Sequence, residues 1–475
     1  MPTLASLNPF ARLERGREVF AWGMYDLANQ SFQLLINTLL FSIYVERVVA
    51  SDPDDGRRLW TAMSAGALLL VAILSPIMGA IADQRAWRRE MLLTTGVIGA
   101  TLTAALALVG QGDIALAFAC YTIAAVACGL GENFLGAFLP EISTQKNIGF
   151  VSALGWTMSY VGALMLVGIT ALYAFVLDRS QAHEFRPMFV VSGLWFAAGI
   201  LPAFLWLRER TPPVGGAAGS AVAAAFKQLL QSAKDTRHFR QLARFLATYF
   251  IYNMGTMTVI YFLGTIGVNL GFGLDRMLLF ALLVAITAGI TSAATARYQD
   301  RLGHKRTIMA FLVFWIIATV GLAAAQFFNA PKWSFWILSA FIGLALGGVG
   351  TATRALVGAF TPAHRSAEFF GVWGMINRLS AIAGIVTFGL VSTMFNAKPD
   401  APETPTEALT EAAEAAATQS SQLGQVVGLL LVGAFFALGL ILMTRIDQED
   451  GLRTARDAEA ARGIKDMPAP TTPTA

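Results

Sequence analysis

Cysteine and histidine are nearly absent from this chain, with two and four residues among 475. Cys120 and Cys128 share one apolar run, which excludes a disulfide framework and a cysteine-held metal. His183, His238, His304 and His364 fall in polar stretches without metal-ligand spacing. There is also no phosphate-cradling glycine loop and no dinucleotide fingerprint, so neither a resident cofactor nor an enzymatic reaction is expected. Charge is scarce too. Only 13% of residues are charged and 56% are hydrophobic, whereas a soluble domain carries roughly a quarter charged residues. The net charge of +4 is spread in short Lys and Arg clusters between apolar runs, not on one basic domain, which argues against a nucleic-acid partner. Residues 1–18 lack the short apolar core of a removable signal and read as a cytoplasmic N-terminal segment.

Long apolar runs are what the sequence has in abundance. They fall near 19–45, 61–82, 91–110, 114–139, 149–176 and 188–207, and again near 244–268, 276–297, 307–328, 334–360, 369–395 and 423–444. About 20 apolar residues in a helix cross a bilayer core, because only a helix pairs its own backbone groups where water is excluded. The chain is therefore expected to be an all-α membrane protein of twelve transmembrane helices. Two six-helix bundles, 19–207 and 244–444, are joined by a flexible linker, 208–243, that carries Pro212, Pro213, Gly215, Gly216 and Gly219. Of the 34 Lys and Arg, 24 fall on the segments that share a side with the N-terminus and 8 on the other, with Arg354 and Arg378 inside spans. That asymmetry assigns both termini and the linker to the cytoplasm. The acidic stretch 396–422 becomes an outer, solvated loop, and the tail 445–475 a disordered cytoplasmic segment.

Three anchors recur in order. Met24-Tyr25-Asp26 matches Ile251-Tyr252-Asn253, Gly79 to Arg89 matches Ala296 to Arg306, and Leu135 to Pro140 matches Val357 to Pro362, at offsets of 227, 217 and 222. A parallel six-plus-six duplication follows, with a cavity between the halves. The turn after the second span resembles the signature loop of the major facilitator superfamily, G-x-x-x-D-R-x-G-R-R/K. One copy keeps Gly79, Asp83 and Arg88; the other keeps Asp300, Arg301, Gly303 and Lys305. The run Trp22 to Phe32, with Phe138 to Ile142 and Ser366 to Gly371, is similar to the autophagy-related vacuolar amino-acid effluxer branch and its bacterial relatives. The resemblance implies the twelve-helix facilitator fold, amino-acid export, and for a bacterial member the cytoplasmic membrane. It also implies that spans one, four, seven and ten line the cavity.

Candidate site residues come from polar groups inside spans, since such groups are costly in hydrocarbon unless satisfied or wet. Asp26, Asn29, Gln30, Gln33 and Asn37 share one face of the first span at helical spacing. That face lines either a wet cavity or a polar helix contact. Glu132 and Asn133 lie in the fourth span, Tyr252 and Asn253 in the seventh, Arg354 in the tenth, Asn377 and Arg378 in the eleventh. The offset of 222 maps Glu132 onto Arg354, so the two are expected to meet across the cleft, the alternative being a pair within each half. Arg378 is the candidate for an anionic group such as a substrate carboxylate, the alternative being a static pair with Glu132 or Asp26. Asp83 and Asp300, with their basic neighbours, read as conformational latches. The expected protein is a monomeric secondary transporter of a small polar solute, amino acid being the implied class, with membrane lipids around it. Proton coupling through Asp26 or Glu132 stays open. Export of an amphiphile, hinted at by Phe327, Phe328 and Phe335, and a non-transporting receptor on the same fold are the alternatives.

Overall fold

Twelve long helices and a short thirteenth make up a computed structural model that describes residues 8–178, 181–213, 239–269, 274–394 and 407–461. In chain order they are α1 (Gly16–Val49), α2 (Pro53–Arg85), α3 (Arg88–Ala105), α4 (Ile114–Ala137), α5 (Ile148–Ala171) and α6 (Arg186–Trp206). The second half has α7 (Arg240–Asn269), α8 (Leu274–Leu302), α9 (His304–Phe327), α10 (Trp333–Phe360), α11 (Ser366–Met394), α12 (Glu407–Thr444) and α13 (Gln448–Ala460). Among the described residues, eleven of these helices are long and apolar enough to cross a membrane, and α7, with 30 residues, takes the remaining place in the order. Leu69, Ile73, Leu194, Leu201, Ile290, Ile337 and Leu390 stand exposed on the outside, where hydrocarbon is their natural solvent.

Three expectations need correction. The stretch 396–422 is not a loop throughout: from Glu407 on it is the opening of α12, as its Ala and Glu residues favour. Residues 395–406 lie outside the described part. The tail is not wholly irregular either. Asp447 caps α13, its carboxylate accepting from the N–H groups of Glu449 and Asp450, and Gly451 and Ala455 bury one side against the second half. Of the linker, 214–238 falls outside the described residues, while Glu209, Arg210 and Thr211 are hydrogen-bonded to the first half. Finally, α1 is not one regular α-helix. Ser31–Leu40 and Val45–Val49 wind in the wider π form, which changes the angular spacing that helical periodicity assumes.

Each set of six helices packs mainly on itself, and the halves meet along two seams, α2 against α11 and α5 against α8. The face that carries the α2–α3, α4–α5, α8–α9 and α10–α11 turns also carries both chain ends; we term it the terminal face. Small residues let the seams close backbone to backbone. A Cβ on Gly371 would strike the Ser75 carbonyl, one on Gly79 the Ala367 carbonyl, and one on Gly374 the Asn133 amide. Gly371→Val should therefore push α11 off α2 at the terminal face and lower the melting temperature of the purified protein. An unchanged melting curve would show that the seam tolerates separation there.

Candidate functional site

Three layers of charge close the terminal end of the cleft, and each is built from helices of both halves. The outermost layer is a pair of helix caps. Asp83 ends α2 with both carboxylate oxygens accepting from the other half, Oδ1 from the Ala367 N–H at 3.1 Å and Oδ2 from the Glu368 N–H at 2.7 Å. Asp300 does the same from α8, accepting from the Gly149 and Phe150 N–H groups at 2.7 and 2.8 Å. Each carboxylate sits on the unpaired N–H groups and positive dipole end of a helix belonging to the opposite half. Arg88, 1% exposed, donates to Asp83 Oδ1 at 2.6 Å and orients it. Gly79 provides the close approach, and Gly303, at φ +88°, provides the turn. Ala86, which matches Gly303 in the first copy, takes the left-handed conformation at φ 53° without being glycine. Arg301 is exposed and has no side-chain partner among the described residues.

Basic residues in these turns also hold the ends of the sixth and twelfth spans. Arg89 donates to the carbonyls of Phe204 and Leu207, and Lys305 to those of Thr444 and Ile446. The next residues return the favour: Glu209 accepts from the Arg89 N–H at 3.1 Å, and Gln448 from the Lys305 N–H at 2.9 Å. Sequence reading missed Glu209 and Gln448 because they lie in polar segments, where charge is unremarkable without knowing what it caps.

The second layer centres on Arg354. Its Nη1 donates to Asp26 Oδ2 at 2.7 Å, and its Nη2 to the Ser152 carbonyl at 3.0 Å. The guanidinium lies 4.6 Å from the Trp22 ring centre and 5.2 Å from that of Trp156. Gly155 makes this possible, since a Cβ there would run into both the Trp22 ring and the guanidinium. The third layer is Arg378, which donates from Nη2 to Glu132 Oε2 at 2.9 Å. Exposure rises with depth, from 6% and 9% for the Arg354 and Asp26 side chains to 15% and 30% for Arg378 and Glu132. The last pair, the more accessible of the two, marks the floor of the cleft.

The expected contact between Glu132 and Arg354 is therefore replaced by two other pairs, both across the halves. The helices that carry these two residues stand diagonally apart: α4 runs along α11, and α10 along α5, while α4 and α10 scarcely touch. Neither residue pairs within its own half. In this structure Arg378 meets Glu132, one of the two rival partners named for it.

The remaining candidates divide sharply. Gln30 donates to Ser159 Oγ, Asn37 accepts from the Tyr121 hydroxyl, and Asn133 donates to Ser75 Oγ, all inside the first half. Tyr252 bonds Thr353, and Asn253 donates to Asn377 and Ser380, all inside the second. Tyr252 is fully buried, so it lines no open cavity here. Asn29 is buried with Oδ1 unpartnered, and Gln33 is half-buried with no side-chain partner among the described residues. Phe327 and Phe328 stand exposed at the end of α9, whereas Phe335 is buried.

Two measurements test this arrangement. Asp26→Asn leaves the Arg354 charge buried and unmatched, which should cost about 3–5 kcal/mol of stability. Adding Arg354→Gln should recover much of that loss in thermal unfolding; a double variant as unstable as the sum of the two singles would break the assigned pair. Glu209 gives a pH dependence. Burial pushes its carboxyl up to about 7 from an ordinary 4.5, against the Arg89 N–H and the Arg88 charge, with Glu141 and Glu90 adding to the rise. Its protonated form thus favours the fold, a contribution complete below 4.5 and lost as pH rises through 7. Glu209→Gln should melt with the parent protein at about pH 4 and above it at about pH 8, whereas a constant offset at both would remove the titration from Glu209.

Comparison with known proteins fits this geometry. Among solved structures, the chain superposes on the major facilitator proton:xylose symporter XylE with a TM-score of 0.68 at 13% identity, covering 93% of this chain and 98% of that one. It also superposes on the human organic anion transporter MFSD10 with a TM-score of 0.67 at 16% identity, covering 91% and 100%. At these identities the likeness shows the fold, which is the major facilitator fold. In sequence, the chain is 24% identical over 377 residues to the uncharacterized MFS-type transporter YxiO of Bacillus subtilis (strain 168), covering 77% of this chain and 86% of that one. It is 27% identical over 275 residues to autophagy-related protein 22-2 of Aspergillus clavatus, covering 52% of this chain and 43% of the fungal protein. The chain thus spans less than half the length of that fungal relative. Residues 59–397 match the family described as vacuole effluxer Atg22 like, and with that match covering most of its length the chain belongs to this family of major facilitator transporters.

Proposed function

We propose that this protein is a secondary transporter that moves a small polar solute by alternating access between its two halves, with amino acids as the solute class. The observation that carries the reading is the charge pattern of the cleft. Asp26 and Glu132 come from the first half, and Arg354 and Arg378 from the second, paired at 2.7 and 2.9 Å. A solute with separated ammonium and carboxylate groups can stand in for either side of the Glu132–Arg378 pair. Arg378 is the anion-binding end: it has one carboxylate partner and more exposure, while Arg354 is held by Asp26, Ser152 and two tryptophans. Gln33 lies further along α1 and is a half-buried neutral polar group with no side-chain partner among the described residues.

The Lys and Arg distribution supports a cytoplasmic terminal face, and the buried Asp83 and Asp300 caps support reading this as the form closed on that face. Proton coupling fits as an addition, since a solute that displaces Glu132 from Arg378 leaves a carboxylate free to take a proton. The name of the family, vacuole effluxer, supports export as the direction.

A thermal-shift screen of the purified protein against metabolites tests the solute class, because a ligand of the native state stabilises it by about 2.7 kcal/mol at a hundred times its Kd. Amino acids should raise the melting temperature, and Arg378→Ala should abolish that shift while the fold persists. Stabilisation by uncharged amphiphiles alone, retained in Arg378→Ala, would overturn both the class and the residue.

A further inference from the structure

Both inter-half latches depend on helix N-termini, those of α5 and α11, staying where the opposing carboxylates can reach them. What fixes those N-termini is the turn just before each helix, and each turn is tied down by chain that comes from the end of the same half. In the first half, Glu141 in the α4–α5 turn accepts at one oxygen from the Arg210 N–H at 2.9 Å and the Thr211 N–H at 2.7 Å. The Thr211 hydroxyl donates to the same oxygen at 2.6 Å. In the second half, the Ala363 N–H in the α10–α11 turn donates to Glu459 of α13 at 2.9 Å.

Glu141 and Ala363 are related by the repeat offset of 222, so the two ties occupy matching places. Their polarity is reversed: the turn supplies the carboxylate in one half and the N–H in the other. We infer that residues 208–211 and helix α13 are a matched pair of straps that hold the latch-bearing turns, so that the linker and the tail set how readily the terminal face opens. Each strap is itself anchored at its root by the caps of Arg89 and Glu209, or of Lys305 and Gln448. α13 is held further by Gln241 at the start of α7, which donates to Asp450 and accepts from the Asp447 N–H. Gly451 seats the helix on Phe360 at the end of α10. Nothing in α13 touches the cleft floor. Its effect on transport must pass through the latch.

The inference rests on the alternating-access reading, and the experiment separates the two. Spin labels on cysteines placed at exposed Arg17 and Arg306 report the distance between the halves at the terminal face by pulsed electron resonance, with Cys120 and Cys128 buried and unlabelled. Glu459→Ala removes the acceptor. Ala363→Pro removes the donor from the other side of the same bond, and Pro362, at φ −66° and ψ 139°, already has the conformation that a following proline demands. Both variants should raise the long-distance population by about tenfold or more, the effect of one lost hydrogen bond to a charged group, whereas Glu459→Gln, which keeps an acceptor oxygen, should stay near the parent. Glu141→Ala should act likewise from the first half; if that variant fails to fold, the Glu459 and Ala363 pair decides alone. The double variant Asp83→Asn, Asp300→Asn serves as the reference for an opened face. If it lengthens the distance while Glu459→Ala and Ala363→Pro do not, the straps are overturned and alternating access stands. If the double variant does not lengthen it either, the rocking of the halves falls, and the straps with it.

Discussion

A charge held out of water must be matched by another within hydrogen-bond reach, and in this chain the matching partners of the cleft lie on opposite halves. Asp26 meets Arg354 and Glu132 meets Arg378. This one constraint orders the rest of the interface. The gap between the halves must be narrow enough for these side chains to touch, so the seams are lined with Gly79, Gly371 and Gly374. The buried pairs must be shut from the terminal face, so Asp83 and Asp300 cap helices of the opposite half below them. Uncompensated, each buried charge would cost several kcal/mol; compensated across the cleft, it ties the closed form together.

The fold was legible because a bilayer leaves few choices. Twelve apolar runs of sufficient length leave helices as the only way to pair the backbone, and the three recurring anchors give the two halves. Asp83 and Asp300 stood out in the sequence as carboxylates at the ends of spans beside basic residues, and each proves to cap a helix of the opposite half. The partners of the cleft charges were not. Depth can be counted along a helix, but which helix stands opposite depends on how two bundles nest, and the nesting puts α4 beside α11. The polar stripe of α1 divides between its two readings for a related reason. Periodicity places Gln30 and Asn37 on Asp26's face, yet their neighbours Ser159 and Tyr121 make those two helix contacts, and the π winding from Ser31 changes the spacing beyond it.

The tail shows another limit of composition. Ala, Asp, Glu and Arg in alternation look like a solvated segment, and Gln448–Ala460 gains its order only from a surface that the rest of the second half presents. Its small residues are read as structure once Phe360 is seen beneath them. The two copies of the repeat thus carry the same task with different chemistry, a loop in one half and a helix in the other. Duplication preserved the geometry of the latch and left its supports free to diverge.

The division of charge between the halves has a consequence for the empty carrier. With both cleft carboxylates on one half and both guanidinium groups on the other, parting the halves at this level separates opposite charges and sets up an attraction that draws them together again. An unloaded protein is then spring-loaded toward the closed terminal face. Neutralising any one of these four charges would slacken that spring, so the pull toward closure is electrostatic.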